Sequence, residues 1–138
     1  MNKKFKFLEH TADVQFQAFG KTVEEMFGNA GLAMFNSMYD GKVKAKKMAK
    51  IKASGKDFES LLYNFLEELL VLFDGNHFFL SNIKSLKIDE EDFKLEAEIM
   101  GDSAKNYEIH IDVKAITYHG MFVKQQGKTW ICQVVLDV

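Results

Sequence analysis

The sequence predicts an α+β fold: a single compact domain over residues 1–138, with two main amphipathic helices packed on largely antiparallel β-structure. Three observations predict it. Two segments, 22–38 and 57–73, repeat apolar residues every three or four positions, the spacing of a helix with one buried face. Most of the remainder alternates apolar with polar residues, as a half-buried strand does. The 138 residues are 47% hydrophobic and 28% charged, with no proline, repeat or low-complexity linker to divide them, which is enough chain for one ordinary core.

Taken in order, Phe5 and Phe7, then Val14, Phe16 and Ala18, keep period two, so two strands flank a turn at His10-Thr11-Ala12. Gly20 breaks the second strand. Thr22, with Glu25 three residues later, has the spacing of a helix capping box. Val23, Met26, Phe27, Ala30, Ala33 and Met34 then form the stripe of a helix ending near Met38, before Asp40-Gly41. Alternation resumes from Val43 to Ala53, among Lys42, Lys44, Lys46, Lys47, Lys50 and Lys52. This reads as an edge strand whose charges discourage pairing with other chains; a basic patch for phosphate is the rival reading. A second helix is expected from Asp57 to about Phe73, with a stripe of Phe58, Leu61, Leu62, Phe65, Leu66, Leu69 and Leu70. After Asp74-Gly75-Asn76 only strands are expected. Ile83, Leu86 and Ile88 lie in the first, followed by a turn at Asp89–Asp92. Phe93 to Ile99 and Tyr107 to Val113 alternate cleanly, and Met121–Lys124 with Thr129–Asp137 make a closing hairpin about Gly127.

Composition narrows the function classes. Eighteen basic against twenty acidic side chains give a net charge of −2, so there is no bulk attraction to nucleic acid or anionic lipid. One cysteine, Cys132, excludes an internal disulfide framework and fits a reducing compartment. It sits in a strand-like apolar run and reads as a core thiol. No apolar stretch approaches the roughly 20 residues that span a bilayer, and the charged start has no signal-peptide core, so a cytoplasmic protein with no membrane partner is expected. His10, His77, His110 and His119 lack His-x-x-x-His spacing, and there is no Cys-x-x-Cys, phosphate-binding glycine loop or Gly-x-Ser-x-Gly elbow. Asp89–Asp92 lacks the spaced oxygens and glycine of an EF-hand and reads as a solvated turn. These patterns announce no enzyme.

The two ends of the chain are more informative. Asp137-Val138 closes an apolar run, and Asp13 follows the His10-Thr11-Ala12 turn. If Asp13 lies beside Asp137, two carboxylates and the terminal oxygens form a small acidic site suited to a hard cation. Asp112 and Lys114 fall on one side of their expected strand, either as an ordinary surface ion pair or as functional charge.

Phe7-Leu8-Glu9-His10-Thr11-Ala12-Asp13-Val14, Gly20-Lys21-Thr22, Val113-Lys114-Ala115-Ile116-Thr117-Tyr118-His119 and the closing Leu136-Asp137-Val138 together resemble the archease family, in order and over essentially the whole chain. The resemblance implies a non-enzymatic accessory of the tRNA-splicing RNA ligase that joins 2′,3′-cyclic phosphate or 3′-phosphate ends to 5′-hydroxyl ends. Archeases promote guanylylation of that ligase by GTP and a divalent metal, and its repeated turnover; RNA and GTP are met through the ligase. Carried over by residue, the resemblance implies metal ligation by Asp13, Asp137 and Val138, with calcium as the ion and magnesium or manganese as alternatives. It implies a ligase-activating role for Lys114, with no catalytic residue, and places His10 and His119 near the site. Two other readings remain: a stand-alone metal-dependent phosphoester hydrolase, and a chaperone-like module binding protein or RNA.

Overall fold

A computed structural model of the chain describes residues 3–8 and 13–138. Among these the elements run β1 (Phe5–Leu8), β2 (Val14–Gly20), α1 (Val23–Met38), β3 (Lys47–Ser54), α2 (Phe58–Asn76), β4 (Phe78–Asp89), β5 (Lys94–Ser103), β6 (Ala115–Gln126) and β7 (Thr129–Asp137), with a single 3-10 turn at Ala104–Asn106. The expected α+β class is what forms. The strands make two sheets, one ordered β1-β2-β7-β6 and one ordered β3-β5-β4, and every pairing is antiparallel. Each helix packs on both sheets: α1 on β2 and β4, α2 on β3 and β6.

Local chemistry explains the helix boundaries. The Thr22 hydroxyl accepts from the Glu25 amide at 3.1 Å, while the Glu25 carboxylate accepts from the Lys21 amide at 2.8 Å. The expected capping box is therefore present with its return bond one residue further back. Asp57 and Ser60 form a reciprocal box at the start of α2. That hydrogen bonding, first from the Ser60 amide, lowers the Asp57 carboxyl below its ordinary value. The helix runs through Asn76, three residues past the expected end, because His77 takes the left-handed conformation (φ 55°) and caps it by donating to Leu72 and Phe73.

One core joins the layers. Phe16, Ala18, Cys132, Val134 and Leu136 point inward from the first sheet, and Leu95, Ala97 and Ile99 from the second; Phe27, Met34, Phe35, Phe65 and Leu69 of the helices fill the space between. Gly31 lets α1 approach α2 and β4, since a Cβ there would stand 3.0 Å from Leu69 Cδ1.

One expected strand does not form. Residues 108–114 are irregular although their apolar residues alternate. The His110 amide donates to the Met38 carbonyl at the end of α1 rather than to a strand, and Tyr107 turns its hydroxyl toward Asp102. Hydrogen-bonded pairing starts only at Ala115. By contrast β3 is an edge strand, as its lysines suggest, although it begins at Lys47 rather than Val43.

Candidate functional site

The strand order brings distant parts of the chain together. β2 and β7 are neighbours, with Val14 opposite Leu136, so Asp13, just before Val14, and Asp137, just after Leu136, fall at the same end of this strand pair. On the other side of β7, Ala115 pairs with Asp137, and the Lys114 amide donates to the Asp137 carbonyl at 2.8 Å. Asp13, Asp137, Val138 and Lys114 thus meet at one end of one sheet. Asp137 and Lys114 are exposed, and Asp13 and Val138 are partly covered.

The donors are all oxygens: two carboxylates and the main chain at Val138. That set suits calcium or magnesium better than zinc, which takes imidazole and thiolate. Among the described residues no group of three or more His, Cys, Asp or Glu side chains is placed to hold a metal ion. Lys114 adds a positive charge, and among the described residues its ammonium has no carboxylate within 4.0 Å.

The other candidate residues are placed apart from this end, or lie outside what is described. His10 lies outside the described residues, as does the His10-Thr11-Ala12 turn. His119 is exposed and four residues along β6 from Ala115, inside a bulge between Thr117 and Phe122. Asp112 is exposed in the irregular segment before Lys114. Cys132 is fully buried, and burial pushes its thiol up to about 12, so it is a core thiol and not a nucleophile.

A second polar network lies beyond the candidate residues. Asp102 is only 3% exposed and accepts from the Tyr107 hydroxyl at 2.7 Å, the Ser103 amide at 2.8 Å and the Asn106 side chain at 3.3 Å. The Tyr107 bond is the main reason its carboxyl is held below the ordinary value. The Tyr107 hydroxyl in turn accepts from the Lys44 amide at 2.8 Å. The run Asp102 to Tyr107 carries no sequence signal for this arrangement beyond two polar residues separated by a turn.

Fold and site define a class: a small α+β protein of two antiparallel sheets and two helices, with two carboxylates and a lysine toward one sheet end. Comparison with known proteins then identifies it. The model of the archease protein family (MTH1598/TM1083) matches residues 5–138. A protein archease of Sulfurisphaera tokodaii is 38% identical over 139 residues, covering 99% of each chain. One from Pyrococcus abyssi is 37% identical over 142 residues, again covering 99% of each. The solution structure of protein 1598 of Methanobacterium thermoautotrophicum superposes with a TM-score of 0.82 at 36% identity, over 98% of this chain and 99% of that one. The chain belongs to the archease family. A Thermotoga maritima protein described as an archease and possible chaperone shares the fold, with a TM-score of 0.64 at 18% identity over 100% of this chain and 98% of that one.

Proposed function

We propose that this archease activates an RNA ligase of tRNA splicing and RNA repair, through the strand end that carries Asp13, Lys114 and Asp137. What supports this reading is that Val14 faces Leu136 across β2 and β7 while the Lys114 amide donates to the Asp137 carbonyl, which brings three distant segments to the same sheet end.

In this reading Asp13, Asp137 and the main-chain oxygen of Val138 hold a hard divalent cation, calcium or, in its place, magnesium or manganese. When bound, that ion supplies positive charge for a phosphate. Lys114 presents its ammonium beside it as a point charge suited to phosphate oxygens. The backbone bond from Lys114 to Asp137 fixes where the lysine side chain starts. Phosphoryl transfer is governed mainly by positioning and charge stabilisation, so an accessory protein accelerates guanylylation of the ligase without covalent chemistry of its own. The end docks at the ligase active site and helps set the nucleotide triphosphate for attack by the ligase.

The test is guanylylation of the ligase with GTP and a divalent metal, with this protein at substoichiometric amounts. Repeated turnover that disappears with Asp13→Ala and with Asp137→Ala is the expected result. Undiminished stimulation by both variants overturns the role of the site, and no stimulation by the unaltered protein overturns the function.

A further inference from the structure

The lysines around β3 are not spread evenly. From Lys42 to Lys56 the chain carries seven of its eighteen lysines and no acid; the remaining sequence carries eleven lysines against twenty acids, a net charge of −9. Edge protection accounts for only part of this. β3 begins at Lys47, and its later lysines face acids across the sheet: Lys50 is opposite Glu98, and Lys52 is opposite Glu96 with an ammonium–carboxylate distance of 3.7 Å. The earlier group is different. Lys42, Lys44 and Lys46 precede the strand, so they protect no hydrogen-bonding edge. Lys47 is opposite Gly101. All four are exposed, and among the described residues none has a carboxylate within 4.0 Å.

The backbone beneath these side chains is fixed at three successive points. The Ser81 hydroxyl donates to the Val43 carbonyl at 2.7 Å. The Lys44 amide donates to the Tyr107 hydroxyl at 2.8 Å, and that hydroxyl is anchored on the buried Asp102 carboxylate. The Lys46 amide donates to the Gly101 carbonyl at 2.8 Å. Val43 packs against the core between exposed Lys42 and Lys44. The result is a backbone held at three points, with Lys42, Lys44, Lys46 and Lys47 exposed along it. Exposed charge on a pre-ordered backbone loses little chain freedom on binding.

We propose that Lys42, Lys44, Lys46 and Lys47 form a binding site for the phosphate chain of a single-stranded polynucleotide. The chemistry points to phosphate in a chain. All basic side chains of this protein are lysines, point charges without the guanidinium fork that pairs flat with carboxylates. Four exposed lysines, of which Lys46 alone helps hold the Asp102 carboxylate charged, match a polyanion better than the apolar centre of a protein interface. The site is separate from the Asp13–Asp137 end, and residues 107–114 connect the two, one end of that segment at Tyr107 beneath Lys44 and the other at Lys114 beside Asp137.

The test is anisotropy of labelled uridine and thymidine oligonucleotides with the full chain and no ligase, titrated with salt. Release of counterions from about four phosphates gives a log–log slope of about −2.8, a loss of about 50-fold in affinity between about 50 and 200 mM salt. The quadruple variant Lys42→Gln, Lys44→Gln, Lys46→Gln, Lys47→Gln should flatten that slope and lose at least about 10-fold in low salt. Single Lys44→Gln and Lys46→Gln variants should each reduce the slope by about 0.7. Lys50→Gln with Lys52→Gln should bind nearly as the unaltered protein does, and Asp137→Ala should bind as well, which separates this site from the proposed activating one. No binding at low salt, a quadruple variant that still folds and binds normally, or equal loss in the Lys50→Gln and Lys52→Gln control would each overturn the proposal. So would capture of acidic protein or anionic vesicles without any binding of the oligonucleotides.

Discussion

The main-chain amide of Lys114 donates to the carbonyl oxygen of Asp137 at 2.8 Å, while the lysine side chain stays exposed. Backbone and side chain therefore have separable jobs: one holds β7 to the start of β6, the other offers charge. Lys114→Ala removes only the charge, and a surface truncation of this kind changes stability by less than about 0.5 kcal/mol. Ligase stimulation should fall sharply with an unchanged melting temperature. Lys114→Pro also removes the donor and should lower the melting temperature as well. Full stimulation by Lys114→Ala would remove the lysine from the activating end.

Cys132 is the only thiol, and its inertness is a consequence of packing. It faces Ala18 across the β2–β7 pair, fully buried, with its thiol pushed up to about 12 by loss of solvent. Since the thiolate is the reactive form, Ellman's reagent should label the native protein very slowly at neutral pH and quickly in denaturant. Prompt stoichiometric labelling of native protein would mean that the β2–β7 core opens readily.

The Asp102–Tyr107 bond makes part of the stability pH-dependent. Hydrogen bonding, first from Tyr107, lowers the Asp102 carboxyl below its ordinary 3.8. A depressed acid stabilises the fold above its unfolded value, and that contribution is lost as pH falls through the lower, folded value. Thermal melts should therefore separate the unaltered protein from Tyr107→Phe at neutral pH, with the gap narrowing below about pH 4 as the Asp102 part of it is lost. Tyr107→Phe also leaves the Lys44 amide without its acceptor, so Lys44 should show faster amide exchange. A gap that stays constant down to strong acid would mean that the charge of Asp102 contributes nothing to the fold.

That network also marks where the sequence stops being legible. Both helices, the β6–β7 hairpin and the edge position of β3 follow from local periodicity and capping, which act within a few residues. Tyr107 to Val113 has the same alternation as a true strand, yet its backbone bonds go to Met38 and its tyrosine hydroxyl to Asp102. Period two reports which side chains are covered, and Val113 is indeed buried while Asp112 and Lys114 are exposed; it does not report a hydrogen-bonded partner. Asp13 and Asp137 stand out individually as acids at the ends of apolar runs. Their falling at the same end of one sheet depends on β2 and β7 being neighbours, a pairing across more than a hundred residues that no local pattern encodes. The Asp102 network has no local signature, because its burial comes from the fold around it.

Two glycines test how tightly the layers are packed. At Gly101, on β5 opposite Lys47, an added Cβ would run into the Phe79 carbonyl oxygen and stand 2.6 Å from the Phe78 ring. Neither neighbour yields easily: the carbonyl is backbone of the paired β4, and Phe78 is buried. Gly75, in the last turn of α2, has nothing within 4 Å of the same added atom. Gly75→Ala then acts only through the backbone freedom of the unfolded chain and helix propensity, and should stabilise by up to about 0.8 kcal/mol. Gly101→Ala forces β4 and β5 apart and should destabilise by about 1–3 kcal/mol or more. It also displaces the carbonyl that holds the Lys46 amide. Denaturant melts of the two variants should move in opposite directions. A neutral Gly101→Ala would mean that β4 can shift away from β5 without loss, and that the lysine segment is less firmly held than its bonds imply.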